Sequence, residues 1–189
     1  MELLQKKVAD VLAALPEEKT SDVDALISTC LVKGLDTFSK VNKIILASRN
    51  KALTPSKVED VGRELSRALF YVACLLELLS IQSTDEFLKE SLEDCTMQFD
   101  PVYHQDAIMC SMSAIEAFTK LVESIYIWDE IEDSGDPSDP AVLEEGPLDG
   151  DEDKLFQLTS IATCVYILCE RLDLEYDNLQ YNALLIDSI

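Results

Sequence analysis

The chain repeats itself. The run Asp36-Thr-Phe-Ser-Lys-Val-Asn-Lys-Ile-Ile45 recurs as Glu116-Ala-Phe-Thr-Lys-Leu-Val-Glu-Ser-Ile125, an offset of 80 residues. A second run, Leu65-Ser-Arg-Ala-Leu-Phe-Tyr-Val-Ala-Cys-Leu-Leu-Glu-Leu-Leu79, recurs as Leu158-Thr-Ser-Ile-Ala-Thr-Cys-Val-Tyr-Ile-Leu-Cys-Glu-Arg-Leu172, an offset of 93. The two offsets differ because of an acidic insertion between Trp128 and Lys154. Two copies of a helix pair in one chain predict a pseudo-twofold, all-α tandem-repeat bundle, in which the second copy stands in for a partner subunit. The division places one repeat in residues 1–98 and the other in 99–189, with the insertion at 129–153.

Apolar residues recur at the helical period. Leu3, Leu4, Val8, Val11, Leu12 and Leu15 predict a helix over about 2–14, with Pro16 beyond its end. Ser21-x-x-Asp24 resembles the start of a helix over 22–49, in which Gly34 marks a kink or a close contact. Ser56-x-x-Glu59 has the form of a capping box for a helix to about residue 80. Ser83-x-x-Glu86 opens a short helix to about 93, and Asp100-Pro101 opens another to about 128. The last long helix is expected over 152–172, with a weakly helical tail over 176–186. No segment alternates as a half-buried strand does.

The net charge is −22, but twelve of the 37 acids lie in 129–153, which holds no Lys or Arg. That stretch reads as a mobile loop, or as an acidic element for a protein partner. Residues 33–67 are the one basic stretch, with eight Lys/Arg against four acids. Such a balance disfavours direct binding to nucleic acid or to an anionic membrane. The longest apolar run, Ala68 to Leu76, is too short to span a bilayer. No secretory signal is evident, and the six Cys contain no Cys-x-x-Cys, so a cytoplasmic protein with reduced core thiols is expected.

Glu116 and Glu123 are seven residues apart on one predicted helix, and Asp36 and Glu64 occupy the first copy. Carboxylates converging across a helix pair would suit Mg²⁺, a hard cation that takes oxygen ligands. A solvated helix face has the same spacing. Asp149-Gly-Asp151-Glu-Asp153 has acids at alternate positions but lacks the Gly and Glu of a calcium loop. His104, the only histidine, has no nucleophile motif to serve, and no Walker loop, dinucleotide fingerprint or zinc spacing is present.

Glu116-Ala-Phe-Thr-Lys-Leu-Val-Glu-Ser-Ile125 resembles the Glu-Glu-x-x-Glu helix of the MazG-like nucleotide pyrophosphohydrolases, and Glu64-Leu-Ser-Arg-Ala-Leu-Phe is similar to their Glu-x-x-Asp helix. Asp173-Leu-Glu-Tyr-Asp-Asn178 resembles the turn and last helix of that unit. The resemblance covers most of 22–93 and 101–186, and it implies an all-α hydrolase that removes pyrophosphate from nucleoside triphosphates with Mg²⁺. In this sequence the implied metal set is Asp36, Glu64, Glu116 and Glu123. The family's other ligand places are filled by Ala117 and Lys120, by Thr37 and Lys40, and by Arg67, or by Ser160 in the second copy. A lysine at a metal site repels the cation. Weak or absent hydrolysis is therefore expected, and Lys40, Lys43 and Arg67, with Lys33 and Arg63, become candidates for a metal-free phosphate pocket. A nucleotide-binding pseudoenzyme and an acidic protein-interaction module stand beside the enzyme reading.

The helical periodicity predicts a circular dichroism spectrum dominated by helix; a sheet of three or more strands would defeat the repeat assignment.

Overall fold

The computed structural model describes residues 1–16, 22–48, 52–81, 107–134, 150–186 and 189, with the backbone alone for 127–134 and 150. The expected short helix near 83–93, the Asp100-Pro101 cap, Cys95, His104 and residues 135–149 of the insertion lie outside them. Regular structure among the described residues is entirely helical. The helices are α1 (Glu2–Ala13), α2 (Val23–Ala47), α3 (Pro55–Leu78), α4 (Ala107–Ser134), α5 (Gly150–Leu172) and α6 (Tyr176–Leu184).

Four long helices form a ring: α2 packs on α3, α3 on α5, α5 on α4, and α4 back on α2. The α1 and α6 helices pack on α3, and on each other, outside that ring. The α1 helix is tied by its buried Leu4 and Val8 and by Gln5 Nε2, which donates to the Ile81 carbonyl at 3.0 Å. One continuous apolar core runs through all six helices. Its largest side chains, Phe38, Phe70 and Phe118, are fully buried, and each contributes roughly 1.5–3 kcal/mol relative to exposure.

The α2–α4 contact is antiparallel. Ser28 hydrogen-bonds Tyr126 at 2.7 Å, and the Ser111 hydroxyl donates to the Phe38 carbonyl at 3.4 Å. Between these points Phe118 lies over Gly34 and against Phe38, with the two ring centroids 6.0 Å apart. A Cβ added at Gly34 would sit 2.5 Å from Phe118 Cζ, so the absent side chain is what lets the helices approach. Of the two expectations for Gly34, the close contact is the one observed.

The ends of α3 and α5 are built alike. Ser80 and Asp173 take left-handed φ values of 57° and 55°. Beyond them, Ile81 N–H bonds the Leu76 carbonyl at 2.9 Å and Leu174 N–H bonds that of Cys169 at 2.8 Å. Both are the six-to-one closure of a Schellman motif, which satisfies an otherwise unpaired carbonyl.

Four helix ends depart from expectation. Asp22 caps α2, accepting from Ala25 N–H at 2.9 Å. The predicted Ser56 box does not form, because Pro55 at the first turn starts α3 earlier and its N-cap is Thr54. The α4 backbone continues to Ser134 and α5 begins at Gly150, so helix enters both ends of the acidic insertion. A further difference concerns hydropathy. Asp151–Leu172 is apolar enough over an 18-residue window to cross a membrane, with mean hydropathy 1.3 and 67% of that window buried in the bundle. Averaging tolerates the isolated polar residues that end an uninterrupted run, and a core helix passes the same test.

Gly34→Ala is expected to destabilise the protein by about 1–3 kcal/mol in urea unfolding, since overpacking against a fully buried ring outweighs the roughly 1 kcal/mol that Ala contributes in a helix interior. Adding Phe118→Leu should recover part of that loss. Additive effects of the two changes would sink the account.

Candidate anion-binding site

The α2–α3 contact is also antiparallel: the Cys30 and Cys74 thiols share a hydrogen bond near one end, and Lys40 feels the charge of Glu64 nearer the other. Burial of Leu65, Leu69 and Val72 against the core turns the charged side of α3 toward the exposed side of α2. Between the two helices lies a depression of about 290 Å³, lined by Lys40, Lys43, Ile44, Asp60, Arg63 and Glu64.

Most of its charges are held by neighbours one turn away on the same helix. Lys40 Nζ is 2.6 Å from Asp36, Arg63 is 3.3 Å from Asp60 and 3.7 Å from Glu59, and Arg67 is 2.6 Å from Glu64. Apart from Glu64 the groups in these pairs are about half exposed or more, so the exposed pairs contribute little to stability. Among the described residues Lys43 has no carboxylate within salt-bridge distance. The hydrogen bond to Asp36 lifts the Lys40 ammonium above the ordinary lysine range; burial opposes this and the Glu64 charge adds to it. Lys40 is therefore cationic at neutral pH. Glu64 is 12% exposed, and its Oε2 is buried without a hydrogen-bond partner. An unpaired acceptor at the rim of a basic depression invites a hydroxyl or amide donor.

Of the three phosphate-binding candidates, Lys40 and Lys43 share this depression, whereas Arg67 lines a neighbouring groove. Arg63 lines both, and it is the cation whose central place the repeat alignment understated. Arg63, already a candidate from the sequence, lies one turn before Arg67 on the same helix.

Of the expected Mg²⁺ set, Asp36 and Glu64 both act on Lys40, whereas Glu116 and Glu123 lie on another helix. Glu64 is on α3 and Glu116 and Glu123 are on the exposed side of α4, helices on a diagonal of the ring. Glu116 is 3.1 Å from Lys120, as Asp36 is held by Lys40. Among the described residues no three His, Cys, Asp or Glu side chains are grouped to hold a metal ion.

At the corresponding offsets of 80 and 93, the second half has Lys120, Glu123, Phe156 and Gln157 in place of Lys40, Lys43, Arg63 and Glu64. The Gln157 amide donates to Asp153 at 3.2 Å. The basic cluster has no counterpart at these offsets.

Among the described residues Cys30, Cys74, Cys110, Cys164 and Cys169 are buried and form no disulfide. The thiol–thiol hydrogen bond between Cys30 and Cys74 lowers the Cys30 thiol and raises that of Cys74. Burial, then the Glu170 charge, pushes the Cys169 thiol up to about 12.

No protein-family model, curated protein or solved structure matches this chain.

The Cys169 shift has a measurable consequence. In the unfolded chain this thiol ionises near its ordinary value of about 8.5. Above that pH the unfolded state binds fewer protons than the native one, so stability falls as pH rises toward the folded value. Urea unfolding at pH 8 and pH 10 should show wild type losing about 2 kcal/mol more than Cys169→Ala over that interval. Equal losses would show that Cys169 ionises in the folded protein as it does in water.

Proposed function

We propose that this chain is a tandem MazG-like bundle whose first half binds the phosphates of a nucleotide without metal-dependent hydrolysis. One observation carries the binding half of this reading: Lys40, Lys43 and Arg63, from two helices, line a single depression in a chain of net charge −22. Lysine and arginine donors hold phosphate oxygens by charge-assisted hydrogen bonds and need no cation to do so.

Four correspondences support the tandem reading. Phe38 and Phe118, 80 apart, meet with tilted rings where α2 crosses α4, as equivalent residues do at a twofold axis. The ion pairs Asp36–Lys40 and Glu116–Lys120 keep the same offset, and so do the buried Cys30 and Cys110. The left-handed caps Ser80 and Asp173 are 93 apart. Pairing of α2 with α4 and of α3 with α5 is the arrangement that a duplicated helix hairpin makes with its copy.

The absence of hydrolysis in this reading rests on the division of the acids between separate helices and on the bases that neutralise them. A cytoplasmic setting agrees with five buried cysteines that, among the described residues, are not paired as disulfides. The acidic stretch as a protein-binding element remains a second role, resting on its composition.

Isothermal titration with tripolyphosphate and with ATP, both without Mg²⁺, tests the reading. Lys40→Ala with Lys43→Ala should weaken both ligands by roughly 10-fold or more, since each lost charged hydrogen bond is worth about 1.5–3 kcal/mol. Glu116→Gln should change neither affinity. Robust Mg²⁺-dependent release of pyrophosphate, lost in Glu116→Gln, would overturn the non-catalytic assignment. Binding of neither ligand would overturn the phosphate site.

A further inference from the structure

A larger groove, about 730 Å³, runs between α3 and the turn that joins α5 to α6. Its volume falls within the range of small-molecule sites. Arg63 and Arg67, one helical turn apart, stand on the α3 side. Across from them the turn and α6 contribute Asp173, Glu175 and Asn178, with Leu174 and Leu179 supplying apolar surface between. Glu59 also lines the α3 side, but it is 3.7 Å from Arg63 and so partly neutralised.

The two signs of charge therefore face each other across an apolar floor. Each guanidinium has five donors, and the ion pairs to Glu59, Asp60 and Glu64 leave donors over. Asp173 is held at the turn by its left-handed backbone and by the Leu174-to-Cys169 closure beside it. A polyanion entering this groove would meet Asp173 and Glu175, and a polycation would meet the two arginines. A molecule with one charge of each sign, separated by an apolar body, meets complementary groups at both ends.

We propose that this groove binds a small zwitterion with an apolar body, of the amino-acid or short-peptide class. Its carboxylate is held by Arg67 and Arg63, its ammonium by Asp173 and Glu175, and its side chain rests on Leu174 and Leu179. The inference does not depend on the phosphate site, although Arg63 borders both.

Titration calorimetry on the full chain would use leucine, the tripeptide Ala-Leu-Ala, and the N-acetylated and C-amidated tripeptides. The uncapped tripeptide or leucine should bind, and whichever binds more tightly identifies the source of the zwitterion. Each cap should weaken the tripeptide by at least about 10-fold relative to its uncapped form if the peptide is the ligand; if leucine is the ligand, N-acetyl-leucine and leucinamide should show the same loss. In Arg67→Gln the penalty for amidation should shrink, and in Asp173→Asn the penalty for acetylation should shrink. Asn tolerates the left-handed backbone, so the turn survives that change. Tripolyphosphate affinity should be the same in Asp173→Asn as in wild type, which separates this groove from the phosphate site. Failure of leucine and tripeptide to bind, or equal binding of capped and uncapped forms, would overturn the proposal.

Discussion

Everything in this bundle depends on how closely α2 can approach α4, and that distance is set by an absence. Gly34 presents no side chain, and the Phe118 ring fills the space and reaches Phe38. Helix interfaces gain from packed contact, and contact requires that a large residue on one helix meet a small one on the other. The α2–α3 and α4–α5 pairs are joined into one core along two seams, α2 with α4 and α3 with α5. At the first of these, Phe38, Gly34 and Phe118 form the centre of the seam, with the hydrogen bonds of Ser28 and Ser111 on either side.

Charge plays a different part. The ion pairs around the candidate site lie within single helices, three or four residues apart. They set the electrostatic surface of α2, α3 and α4 without tying one helix to another. Apolar packing is therefore left to decide register, and the charged stripes are free to differ between the two halves. Arg63 and Glu64 in one half and Phe156 and Gln157 in the other illustrate that freedom.

Much of the architecture was legible because helical periodicity and burial are the same fact seen twice. Leu65, Leu69, Val72 and Leu76 repeat at helical spacing and are buried. Helix ends were less legible, since they depend on competition between local signals. At the start of α3 a proline suited to the first turn prevailed over a capping box one residue later. In 129–134, acidic composition read as loop, yet Asp and Glu do not forbid a helix and the backbone continues as one. At the site, the spacing of Lys40 and Lys43 pointed to one surface, and the structure places both at one depression. The acids could not be judged in the same way, because whether four carboxylates meet depends on which helices are neighbours and which lie across the ring. The groove beside α6 was not legible at all: Arg67 and Asp173 are far apart in sequence, and only the docking of α6 on α3 makes them neighbours.

The Gly34 notch also bears on how the chain reaches its native state. Contacts within α2 and α3 close over a short loop, whereas Phe38 meets Phe118 only after some eighty residues of chain have been brought round. Short closures lose less chain entropy and form faster, so each hairpin assembles ahead of the joining of the two. That late joining presses a ring into a gap between formed helices. The seam is thus the natural place for a kinetic bottleneck, where two helical hairpins exist before a single core does.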